Sequence, residues 1–177
     1  MDYNNRPNPV LMFLRQVAIS WPTGFIVLII GSLACPTPFS DPVVNKTFFV
    51  WTATVCLVCA FFQGVLLKKH YSTYAMVTSW LLVGLSVLLV FPEIILWDSG
   101  QIGYGLSECG LNIPRFSFAV FACAGVRTLA RLFVLMPAVA AYSGMRGAQF
   151  ASDHRPIHLY WTLGLASALA AALLIVS

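Results

Sequence analysis

Residues 48–67 read FFVWTATVCLVCAFFQGVLL, and Lys68-Lys69-His70 follow at once. No charge interrupts the run. At ~1.5 Å rise per residue, about 20 apolar residues in a helix cross a hydrocarbon core ~30 Å thick. The run is continuous rather than alternating, which excludes a barrel strand. In lipid, a helix is then the remaining way to satisfy the backbone. The basic triplet that ends the run marks the place where the chain re-enters a polar phase.

Four further segments resemble this one. Val10 to Ala34 carries Arg15 near its start and Trp21-Pro22 inside it; Tyr74 to Trp97 follows the basic link; Phe116 to Tyr142 carries Arg127 and Arg131; Ile157 to Ser177 ends the sequence. The expectation is an all-α membrane protein, a single domain over 1–177 with five transmembrane helices (about 10–34, 48–67, 74–97, 116–142 and 157–177). The number falls to four if the arginines hold the fourth segment along the interface. The connections suit this division. Residues 35–42 are proline-rich and cannot continue a helix. Residues 98–115 contain four glycines and Pro114, and 142–156, with Gly144 and Gly147, reads as the last loop.

Composition points the same way. Of 177 residues, 59% are hydrophobic and 9% charged, and the mean hydropathy is +0.84. Soluble domains are about 25% charged, so a soluble enzyme or a nucleic-acid-binding domain is not expected. The net charge of +4 is spread along the chain, and no basic patch for nucleic acid forms. With five spans, Arg6, Arg15, Lys68, Lys69, Arg146 and Arg155 fall on one face, against Lys46 and Arg115 on the other. The positive-inside rule then puts the N-terminus on the cytoplasmic or matrix-like face, with the mitochondrial inner membrane the favoured compartment. Trp21, Trp51, Trp80, Trp97, Tyr142, Tyr160 and Trp161 mostly flank the spans and read as interfacial anchors.

Arg127 and Arg131 are the leading site candidates. Four residues apart, they share one face of a helix, and each costs about 2.5–3.5 kcal/mol near mid-bilayer. The functional reading is recognition of a lipid phosphate or a partner's acid; the structural one is pairing with Glu93 or snorkelling to the interface. Cys56 and Cys59 have CxxC spacing, but they sit inside an apolar helix, where small packing side chains are the plainer reading. Cys35 and Cys109 lie in loops on one predicted face and form a candidate disulfide pair if that face is oxidising. His70, His154 and His158 fall on the basic face, too few for a structural metal site; neither metal nor cofactor is expected. Gly164, Ala166, Ser167, Ala168 and Ala170 to Ala172 give the last helix a small-residue surface suited to close helix approach.

The function expected from these features is a non-catalytic accessory subunit of a larger membrane complex, such as a respiratory-type assembly. Its partners would be membrane lipids and other membrane subunits. One alternative is a small transporter or channel lined by Arg127, Arg131 and Gln63. Another is a membrane thiol redox enzyme using Cys56 and Cys59.

Overall fold

Asn8 starts the first helix: its side-chain oxygen accepts from Val10 N at 3.0 Å, and Pro9 follows in the first turn, where a missing N–H is harmless. Helix α1 then spans Pro9–Leu33. Helix α2 spans Val44–Leu67 and ends in a tight 3-10 turn, Lys68–His70, entered through Lys68 at φ 46°. Helix α3 spans Thr73–Val90. Helix resumes at 129–130, widens into a π-turn over Arg131–Leu135 and continues as α4, Met136–Asp153. A further helical stretch covers 157–165. This computed structural model describes residues 8–34, 44–90, 129–153, 155 and 157–165, and every regular element among them is helical. Three stretches, Pro9–Leu33, Val50–His70 and Thr73–Val90, are long and apolar enough to cross a membrane.

The π-turn has a local cause. Pro137 has no N–H to donate, and its ring crowds the carbonyl one turn back. The backbone accommodates it with a wider turn, in which Met136 N donates to the Arg131 carbonyl.

The four long helices form a ring in which α1 packs on α2 and α3, and α4 packs on the same two. The most extensive of these interfaces is α2 on α4. Although α2 and α3 are consecutive, they sit across a diagonal, and the middle is filled by Trp80, Met76, Val83, Cys56, Ala60 and Ala140, all essentially inaccessible.

The sequence reading ends the fourth segment at Tyr142 and takes 142–156 as a loop. The helix instead runs to Asp153, with Gly144 and Gly147 inside it. Both glycines lie where α4 meets α2. A Cβ on Gly147 would collide with the Phe61 carbonyl, and one on Gly64 with the backbone of Gly144. A mid-helix glycine costs about 1 kcal/mol relative to alanine, offset here by backbone-to-backbone packing across the interface. Of the small-residue surface expected on the last helix, only Gly164 is described, and a Cβ there would meet no described residue within 4 Å; residues 166–172 lie outside the described residues. The close approach of α2 and α4 is made by Gly64, Gly144 and Gly147.

One end of the bundle collects basic side chains. Gln16 on α1 binds the backbone of Ser72, and the Tyr71 hydroxyl donates to the Ala141 carbonyl on α4 at 2.6 Å. These bonds set Arg15, the Lys68–His70 turn and the C-terminal half of α4 at a common end. There Arg146 lies over the Tyr142 ring at 5.1 Å.

Candidate functional site

The polar residues of the helices are spent largely on one another. Gln16 Nε2 donates to the Ser72 carbonyl at 2.9 Å, and Ser72 N donates to Gln16 Oε1 at 2.7 Å, so both ends of this buried amide are satisfied. Deeper in the bundle, Gln63 Nε2 donates to the Ser20 carbonyl at 3.0 Å and to Thr23 Oγ1 at 2.8 Å. Trp80 Nε1 donates to Gln63 Oε1 at 3.3 Å. Gln63 thus ties α1, α2 and α3 at one level. The Ser143 hydroxyl donates to the Leu57 carbonyl at 2.6 Å and adds a tie from α4 to α2. An unsatisfied polar group in an apolar interior is costly, and these pairings remove most of that cost; Ser20 Oγ is buried without a partner among the described residues.

The residues singled out from sequence fall unevenly on this frame. Glu93, Arg127, Cys35 and Cys109 lie outside the described residues. Arg131 begins the π-turn, half-buried and engaged within the chain. Cys56 is fully inaccessible in the α2–α4 interface, with its thiol 3.7 Å from the Met136 carbonyl, and Cys59 is buried one turn on. Both thiols are free. Cys56, Ala60 and Gly64 recur every four residues along one side of α2 and are all buried, so the first cysteine belongs to a small-residue stripe that α4 covers. Gln63, named above as a pathway residue, has both ends of its amide occupied by neighbouring helices. His158 Nε2 approaches Asp153 at 4.0 Å. Among the described residues, no three His, Cys, Asp or Glu side chains gather as metal ligands.

On the outside of the α1–α2 pair the two helices diverge into a groove of about 490 Å³ lined by Ile19, Thr23, Val27, Val58, Phe62 and Leu66, among others. It narrows where the helices converge: a Cβ on Gly31 would stand 2.7 Å from Val55, and Trp51 Nε1 donates to the Gly31 carbonyl at 2.6 Å. Toward the basic end, the groove adjoins a smaller hollow of about 190 Å³ lined by Leu11, Met12, Arg15, Gln16, Leu66 and His70, among others. The sequence reading assigns Arg15 and His70 to the basic face and no further. The signal it lacked is a pairing: α1 and α2 run antiparallel and bring the start of one beside the end of the other.

In comparisons with family models, curated proteins and solved structures, the chain matches none.

Proposed function

We propose that this protein is a non-catalytic accessory subunit held within a larger membrane assembly. The observation that carries this reading is the surface of α1. Its buried residues are Gln16, Ser20, Gly24, Leu28 and Ser32, one residue per turn along a single narrow stripe. Over the rest of the helix, Val10, Leu11, Leu14, Ile26, Ile30 and Leu33 face outward. Only 28% of its most apolar window is buried in the bundle, against 56% for the corresponding window of α2. A helix that spends one stripe on its own bundle leaves a wide apolar face for lipid and for the helices of neighbouring subunits. The buried amides, hydroxyls and indoles, meanwhile, tie helices together, which is what a scaffold requires. In this reading the basic end faces the cytoplasm or an organelle matrix, and a respiratory-type complex is a fitting host.

The test is extraction in a mild detergent, followed by native electrophoresis and mass spectrometry of the co-migrating proteins. The expected result is migration well above 19.4 kDa with a reproducible set of membrane proteins in fixed ratio. A monodisperse monomer that conducts anions in liposomes would overturn the subunit reading in favour of a transporter.

A further inference from the structure

The groove between α1 and α2 changes chemistry along its length. Its body is apolar, and the smaller hollow at its basic end carries Arg15 and His70. Ile19 and Leu66 line both, so the two form one continuous depression. We propose that this depression binds a single anionic phospholipid, with an acyl chain along the α1–α2 groove and the phosphate at Arg15 and His70. The inference rests on the membrane-embedded part of the reading above and is independent of the subunit role.

Dimensions and charge both favour this occupant. From Arg15 to Val27, α1 rises about 18 Å, close to the depth of one leaflet of a ~30 Å core. The far end is closed by the Trp51–Gly31 bond and the Gly31–Val55 contact, a stop suited to a chain that ends near mid-bilayer. A partner helix would need a trough that continues past that point. At the near end, the guanidinium of Arg15 presents a planar fork of donors that grips phosphate in two places, and a histidine ring offers a further N–H in either protonation state. The amide of Gln16, already committed to Ser72, leaves Arg15 and His70 as the donors. Lys68 and Lys69 continue the positive charge along the adjoining turn, and among the described residues no acidic side chain lines the hollow. Juxtamembrane lysines and arginines of this kind draw anionic lipids to a membrane surface.

The experiment is native mass spectrometry of detergent-purified full-length protein offered equal phosphatidylglycerol and phosphatidylcholine with identical acyl chains. Wild type is expected to retain one phosphatidylglycerol with a preference of about fivefold or more, the scale that one juxtamembrane arginine supplies. R15Q/H70Q should lose the preference, whereas R155Q, whose exposed arginine lies outside the hollow, should keep it. V58W, which fills the groove without touching charge, should retain neither lipid. Phosphatidylglycerol should raise the Tm of wild type and R155Q but not of R15Q/H70Q, and inorganic phosphate should displace nothing. Equal retention of both lipids by wild type would overturn the proposal. So would displacement of the lipid by inorganic phosphate, or a photo-crosslinker at Val58 that captures a protein helix instead of lipid. Release of the protein from membranes by alkaline carbonate alone would sink the membrane reading itself; an integral protein without lipid preference would sink only this site.

Discussion

Gln63 shows how one polar side chain in an apolar run acquires its role. Its carboxamide accepts from Trp80 and donates to Ser20 and Thr23, so replacing it breaks ties to two helices and strands an indole N–H. Interhelical hydrogen bonds in membrane proteins average about 0.6 kcal/mol each and reach about 1.7. Gln63→Leu is therefore expected to lower stability by about 1–2 kcal/mol, measurable as a reduced Tm in detergent. Retention of full stability would mean that the network is dispensable. Tyr71 makes a second residue-scale prediction. Burial pushes its hydroxyl from 10.0 up to about 12, and the protonated form is the one that donates to Ala141. With the folded value above the unfolded one, the stabilisation is complete below pH 10 and is lost as pH rises through about 12. A tyrosinate absorbance titration should show a late component near pH 12 that disappears in Tyr71→Phe. Cys56, wholly enclosed, should resist membrane-permeant thiol reagents until the protein unfolds; rapid labelling in the folded state would revive the redox reading.

At the scale of the element, the glycines of α2 and α4 carry the strongest prediction. Cβ atoms at Gly147 or Gly64 would strike the partner backbone, and a backbone cannot rotate aside as a flexible side chain can. Overpacking costs about 1–3 kcal/mol where side chains can adjust, so Gly147→Leu is expected to cost at least the upper part of that range and to part α4 from α2. Gly164→Leu should be neutral or mildly stabilising, since no described residue stands within 4 Å of a Cβ there and leucine is the better helix former. Comparing the two variants by thermal unfolding tests the assignment of the close helix contact directly; equal penalties would refute it. Helix type was legible from continuous apolar runs. The extent of α4 was not, because glycine in a sequence signals a turn and a close helix crossing alike. A proline that bends a helix reads in the same way as one that ends it: Pro22 lies within α1, and Pro137 follows the π-turn without stopping α4.

For the whole molecule, the ring of four helices leaves α1 only partly covered. In the proposed assembly, Arg127→Leu/Arg131→Leu should insert into the membrane as well as wild type or better, since leucine is favourable in a span where arginine is costly. Because Arg131 is already engaged within the chain, failed co-purification of partners would have to come from Arg127, whose loss would leave a partner's acid unpaired in an apolar site. Intact assembly together with altered anion uptake in liposomes would point to a pathway instead. Mapping with accessible single cysteines offers an independent check on the arrangement: probes at Asn8, Lys69 and Asp153 should all label from the same side of the membrane. Labelling of Lys69 from the side opposite Asn8 would refute it.

Long charge-free runs favour helices because a helix satisfies its backbone within the segment, and the position of Lys68-Lys69-His70 marks the turn that the structure places there. Those properties depend only on the order of residues along the chain, and they were readable from it. Which helices touch is a different matter. The ring that separates α2 from α3, the pairing of Gly64 with Gly144, and the meeting of Arg15 with His70 join residues far apart in sequence. They follow from packing, where small residues let backbones approach and large ones hold them apart, and a linear pattern does not record which distant small residue faces which.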